Sequence, residues 1–60
     1  MKFKVGQAVR IVGHSIGRDA TGSIEEAEQH SDYVLYLVRY DSKVVEDETG
    51  HYFESQLTRV

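Results

Sequence analysis

The sequence predicts an all-β fold of five short strands, and three observations favour this prediction. Residues 33–40 are aromatic, valine or leucine at seven of eight positions, a composition typical of strands. Apolar residues recur at every second position there and in residues 8–12, as they do in a pleated strand. Residues 21–29 contain one isoleucine and one alanine, which is too little apolar surface to anchor an amphipathic helix.

The N-terminal segment leads into the first strand. Phe3 and Val5 are expected to pack against the core, and residues 6–7 to form a turn. The alternation in residues 8–12 predicts a first strand that lies, half-buried, at an edge of the sheet.

A long loop is expected between the first and second strands. Residues 13–22 contain three glycines and no apolar period. Binding residues are often held on loops by a rigid scaffold, so His14, Arg18 and Asp19 are candidate binding residues.

Residues 21–29 allow two interpretations. Ser23 and Glu26 match a capping box, and the glutamates that follow favour a short helix. Because the apolar content is so low, we predict a strand that curls across a small barrel, and keep the helix as the alternative.

The central strand, residues 33–40, has two apolar faces. The face predicted to fill the core consists of Val34, Tyr36, Val38 and Tyr40. The opposite face consists of Tyr33, Leu35, Leu37 and Arg39. An outward face with this much apolar surface is typical of a binding site.

Turn residues and short apolar runs organise the rest of the chain. The later elements are, in order, a turn at residues 41–43, a return strand that begins at Val44–Val45 and is interrupted at residues 46–48, its continuation at residues 51–53, a single tight helical turn at residues 54–56, and a last strand at residues 57–60. In this scheme Phe53 points inward, so that Tyr52 joins the outward face of the central strand.

Composition limits what the domain can do. We expect one domain, residues 1–60, which buries only about 60% of the surface of its unfolded chain and would gain from self-association. No stretch resembles a signal peptide or the roughly 20 apolar residues of a membrane span, so a cytoplasmic protein without membrane contact is expected. The net charge is −3, and eight of the ten carboxylates lie between residues 25 and 48, which disfavours nucleic acid as a partner.

No enzymatic site is predicted. The three histidines, His14, His30 and His51, lack the spacing that presets a metal site, and the chain contains no cysteine. None of the serines lies in a nucleophile-elbow sequence, and exposed carboxylates have no reason to shift their pKa values. We therefore predict no catalytic residue, no metal and no cofactor.

Twelve positions are spaced as in a known class of small barrel. They are Gly6, Val9, Ile11, Gly17, Gly22, Ile24, Tyr36, Val38, Tyr40, Phe53, Leu57 and Val60. With the long first loop and the strand, tight turn and strand at the C-terminus, the chain resembles the SH3-like five-stranded small barrel. This resemblance implies a binding role without naming the ligand.

Within this class, the segments 36–40 and 53–57 look most like small barrels encoded by phages and mobile elements. A weaker similarity is to the KOW and Tudor-type barrels of ribosomal and transcription factors. The signalling domains of the class bind proline-rich peptides, but this chain has no tryptophan and no aromatic residue in residues 13–22. The plasmid-borne type II dihydrofolate reductases have a similar layout, and this chain keeps their pore tyrosine as Tyr52 but lacks their glutamine.

The function predicted from the sequence is a non-enzymatic interaction module that self-associates or binds a protein partner. The partner-binding residues are predicted to be Tyr33, Leu35, Leu37, Arg39 and Tyr52. The alternative is an accessory protein that binds nucleic acid through the basic side chains Lys2, Lys4, Arg10, Arg18 and Arg59. A third hypothesis is an enzyme whose pore forms between subunits of an oligomer.

Overall fold

Alternating apolar residues produce five antiparallel strands in one sheet, in a computed structural model that describes residues 1–44 and 46–60. The elements are β1 (Ala8–Ile11), β2 (Thr21–Gln29), β3 (Val34–Val44), β4 (Asp47–Phe53), a 3-10 turn (Glu54–Gln56) and β5 (Leu57–Arg59). The predicted all-β class, with one tight helical turn before the last strand, is confirmed. None of the helical segments in the described part of the chain could span a membrane.

The strand order is β4-β3-β2-β1-β5. β1 pairs with both β2 and β5, so the prediction that β1 forms an edge is wrong. β5 takes that position because the 3-10 turn returns the chain to β1. Tyr52 of β4 and Leu57 of β5 are buried in the same core, which requires the sheet to curl so that its two outer strands approach each other.

The core lies on the concave side of this sheet. Its buried members are Phe3, Val9, Ile11, Ile24, Tyr36, Val38, Tyr52 and Leu57. Val34 and Tyr40 pack against it, as predicted for the inward face of the central strand. The expectation that Val5 packs against the core is wrong, because Val5 is 67% exposed. Val60, one of the twelve positions spaced as in the small barrel, is 69% exposed.

The N-terminal segment turns at Gly6 and anchors Phe3. Gly6 adopts a φ of +91°, and the Gln7 amide donates to the Lys4 carbonyl at 3.0 Å. The Phe3 ring meets the Tyr36 ring edge-on, with centroids 5.5 Å apart. The turn therefore buries Phe3 and leaves Val5 in solvent.

β2 is a strand, so the strand interpretation of residues 21–29 is confirmed. It pairs with β1 through its first residues and with β3 along its length, which satisfies its backbone without a helix. A register shift between Ile24 and Glu26 makes a bulge. Gly22 permits the close approach of β3, since a Cβ atom there would overlap the carbonyl oxygen of Arg39.

β3 is longer than predicted. It continues to Val44, so the predicted turn at residues 41–43 is wrong, and Val44 ends β3 rather than starting the return strand. Pairing between β3 and β4 becomes irregular after Arg39, and Asp41 is held by the Thr21 hydroxyl at 2.6 Å. The chain reverses near Glu46, whose φ is 70°, and Val45 lies outside the described residues.

The prediction of which β4 side chains face the core is also wrong. Tyr52 is 4% exposed and Phe53 is 48% exposed, the reverse of the prediction. Tyr52 is the direct partner of Tyr36 on β3, and direct partners point to the same side of a sheet. Because Gly50 has no side chain, the Tyr40 ring fits over β4, and its hydroxyl bonds that of Tyr52 at 2.6 Å.

Candidate interaction surface

The sheet face opposite the core, on β2, β3 and β4, forms a surface that we call the outer face. Residues opposite each other on paired strands lie side by side, so the register sets its layout. Its two central rows, each read from β2 to β4, are Glu28, Leu35 and Phe53, and Glu26, Leu37 and His51. Two leucines therefore lie in the middle, with carboxylates on one flank and aromatic rings on the other.

Three rings, which we call the aromatic end, close one end of the outer face. Tyr33 stacks on His30 with centroids 4.5 Å apart and an interplanar angle of 22°. Phe53 meets Tyr33 edge-on at 5.5 Å, an arrangement that rings favour. The His30 amide donates to the Tyr33 carbonyl at 2.8 Å, so a tight turn holds the first two rings together. Tyr33 is 46% exposed and remains accessible despite these contacts.

A depression of about 170 Å³, the leucine pocket, lies beside the aromatic end. Its lining residues are Glu26, Ala27, Glu28, Leu35, Leu37 and His51. Leu35 and Leu37 are half-buried, so part of each side chain still contacts solvent. The pocket thus has apolar side chains at its centre and carboxylates along β2.

Charge on the outer face is only partly balanced. Arg39 binds the Glu25 carboxylate through two hydrogen bonds of 2.5 and 3.2 Å, and these bonds raise the pKa of the Arg39 guanidinium. Glu28 pairs with His30. Within residues 1–44 and 46–60, Glu26 has no ionic partner, so the rim along β2 keeps negative charge.

The structure brings together four of the five predicted partner-binding residues. Tyr33, Leu35, Leu37 and Arg39 all belong to the outer face, whereas Tyr52 lies in the core and cannot join them. The sequence interpretation missed Phe53, together with His30 and His51. Both Tyr52 and Phe53 are aromatic, so nothing within this short strand indicates which one points outward.

The candidate residues of the first loop do not lie together at one site. His14 lines a second groove of about 410 Å³ between this loop and β4, while Arg18 and Asp19 do not line it. Asp19 has a φ of 73°, and its amide donates to the Ile11 carbonyl at 2.8 Å. Its contacts therefore stabilise the loop against β1.

The basic residues of the nucleic-acid hypothesis do not share one face. Arg10 lies opposite Thr58 and Arg59 opposite Val9, so the two arginines project from opposite sides of the sheet. Lys2 places its ammonium 5.5 Å from the centroid of the Phe3 ring. All five basic side chains are exposed.

A hydrogen-bond network ties the N-terminus to the 3-10 turn. The Tyr36 hydroxyl donates to Glu54 Oε2 at 2.7 Å and accepts from the Phe3 amide at 3.2 Å. The Lys2 amide donates to the same Glu54 oxygen at 2.9 Å. The hydrogen bond from Tyr36, followed by that from Lys2, lowers the pKa of Glu54, and burial with the Glu54 contact raises the pKa of Tyr36.

The other buried hydroxyl belongs to Tyr52. It donates to the Ile16 carbonyl at 2.5 Å and bonds Tyr40, and burial is the main cause that raises the pKa of Tyr52. Both buried tyrosines therefore stay protonated, and they connect loops to the core. In the described part of the chain, no group of three or more histidine or acidic side chains is placed to hold a metal ion.

Comparisons with protein-family models, with curated proteins and with solved structures found no significant match to this chain. The structure shows an all-β fold directly. The resemblance to SH3-like barrels stays a prediction.

Proposed function

We propose that this protein is a small, non-enzymatic binding module whose outer face docks on a protein partner. The observation that supports this best is the grouping of Tyr33, Leu35, Leu37 and Phe53 on one side of β3 and β4. Tyrosine and phenylalanine are enriched in protein interfaces, where their rings contribute a large apolar area with little loss of conformational freedom.

The placement of the other exposed apolar side chains strengthens the proposal. Met1, Val5, Ile16 and Val60 are also exposed, but they lie in the terminal segments and the first loop. Scattered apolar side chains are normal on protein surfaces, whereas a contiguous apolar cluster often marks a binding site. The cluster on the outer face therefore needs a separate explanation, and a partner supplies one.

A protein partner accounts for the surface better than the rival hypotheses. The net charge of −3 would repel nucleic acid, and Arg10 and Arg59 point to opposite sides of the sheet. Self-association would bring together two copies that each carry a net charge of −3, which opposes their approach. An enzyme pore would need an oligomer that brings polar groups together.

The test begins with a displayed peptide library selected on the immobilised protein. Selected peptides are then titrated against wild type and a variant that combines Tyr33→Ala with Phe53→Ala. We expect affinity to fall about tenfold or more, since truncating central aromatic residues of an interface often costs over 1 kcal/mol each. The matched control is Ile16→Ala, which removes an exposed apolar side chain from the first loop.

Equal losses in the control and the double variant would contradict the proposed surface. Sedimentation of the wild-type protein at micromolar concentration addresses self-association separately. A monomer that binds selected peptides supports the proposal, while a dimer that the Phe53→Ala change dissociates would favour self-association through the same face.

A further inference from the structure

We propose that the leucine pocket receives a lysine or arginine side chain from an extended segment of the partner. This inference rests on the proposed function, because it names the chemistry of the partner at the same surface. The shape of the pocket, the charge on its rim and the register of its strands support this occupant.

The pocket has the size and lining for the stem of one long side chain. Its volume is about 170 Å³, and a protein cavity of about 150 Å³ can hold a benzene ring. Leu35 and Leu37 alternate along β3, so their side chains stand about 7 Å apart on one face. A lysine or arginine stem can lie along apolar surface of this length while its charged head stays in water.

The rim supplies the charge for that head. Glu26 lies directly opposite Leu37, and Glu28 directly opposite Leu35, so both carboxylates stand beside the leucines. Glu28 already pairs with His30, whereas Glu26 has no ionic partner within residues 1–44 and 46–60. A cation that enters between the leucines can therefore pair with Glu26 without displacing an existing contact.

Other occupants fit this pocket less well. His51 on β4 is separated from Glu26 by the whole of β3, about 10 Å at the ordinary strand spacing, so these side chains do not form a compact metal site. A purely apolar side chain would leave the Glu26 carboxylate facing an apolar group, which weakens its hydration. A second copy carries the same net charge of −3, which opposes its approach.

The experiment uses three synthetic peptides and isotope-labelled protein, with binding followed by amide chemical shifts. The first peptide has the sequence glycine-valine-lysine-valine-glycine with blocked ends, and the others replace lysine by acetyllysine or glutamate. We expect only the lysine peptide to shift the signals of Leu35 and Leu37. Glu26→Gln should weaken its binding about threefold, within the range for a partly exposed ion pair.

The matched control is Asp19→Asn, which removes one negative charge from the first loop. Its backbone has a φ of 73°, and asparagine accepts this conformation as readily as aspartate. The control should bind the lysine peptide as wild type does. If Asp19→Asn weakens binding as much as Glu26→Gln, the attraction is a general effect of net charge and the inference fails.

The outcomes also separate this inference from the proposed function. Equal binding of the lysine and acetyllysine peptides would overturn the cationic occupant and leave the outer face as a docking surface. Failure of the lysine peptide to shift Leu35 and Leu37, under conditions in which library-selected peptides shift them, would have the same meaning. Selected peptides that shift the signals of neither the two leucines nor Phe53 would overturn the proposed function.

Discussion

Replacing Tyr36 by phenylalanine removes one hydroxyl and tests the network that joins the N-terminus to the 3-10 turn. The Phe3 amide then loses a buried acceptor at 3.2 Å, and Glu54 loses a donor at 2.7 Å. A buried amide left unpaired costs about 1–3 kcal/mol, and the long Phe3 bond places the loss at about 1.5 kcal/mol. A domain of 60 residues has an unfolding entropy of about 0.13 kcal/mol/K, so this loss should lower the melting temperature by about 12 °C.

The Glu54 contact adds a pH dependence. Because the folded-state pKa of Glu54 is lowered, its contribution to stability is present above the unfolded pKa and is lost as pH falls through the folded pKa. Tyr36 is the largest cause of this lowered pKa, so the Tyr36→Phe variant should lose less stability than wild type on acidification. The stability difference between the two proteins should therefore narrow between about pH 7 and about pH 3.

Thermal unfolding measures the fall in melting temperature, and urea unfolding at two pH values measures the pH dependence, both followed by circular dichroism. Tyr33→Phe is the control, because the Tyr33 ring is 46% exposed and its hydroxyl has no hydrogen-bond partner among the described residues. We expect its urea midpoint to match wild type. If Tyr36→Phe unfolds like this control, the Tyr36 hydroxyl contributes nothing to stability. If the difference from wild type is the same at both pH values, the Glu54 contact contributes no pH dependence.

Two further predictions concern the glycines and the alkaline limit of stability. Gly22→Ala should destabilise by about 3 kcal/mol or more, because its Cβ would overlap the Arg39 carbonyl, and thermal unfolding should show a larger loss than in Gly13→Ala, whose φ of 76° causes strain without a clash. Equal losses would mean that backbone strain alone matters at both sites. Because the pKa of Tyr52 is raised in the folded state, its contribution to stability is present below about pH 10 and is lost as pH rises towards the folded pKa. Tyr52→Phe should flatten this alkaline decline in urea midpoints, and a decline as steep as in wild type would contradict the assignment.

Much of the fold could be predicted because local composition and burial agree. The central strand has an apolar face that can only be satisfied by a core, and Tyr36 and Val38 are fully buried there. β2 was predicted as a strand because residues 21–29 lack the apolar content of a helix, and its pairing with two strands agrees with that reasoning. The end of β3 was missed because Asp41, Ser42 and Lys43 favour turns in isolation, whereas pairing across the sheet extends the strand.

The candidate surface was predictable only in part. The alternation of residues 33–40 places Tyr33, Leu35, Leu37 and Arg39 on one side of a strand without any structure. The neighbours of these residues depend on register, which brings the carboxylates of β2 and Phe53 of β4 beside the leucines. A one-residue error in the phase of β4 exchanges every side chain between core and solvent.

The amino-acid sequence by itself determined the all-β class and the two-sided apolar character of the central strand, because both follow from side-chain types at successive positions. Only the tertiary structure decided that Phe53 faces outward, since this depends on the space above Gly50 and on hydroxyl partners distant in the chain. It also decided that Glu26 stands beside Leu37. Contacts between strands depend on the curvature of the sheet and on strand register, and local sequence preferences determine neither.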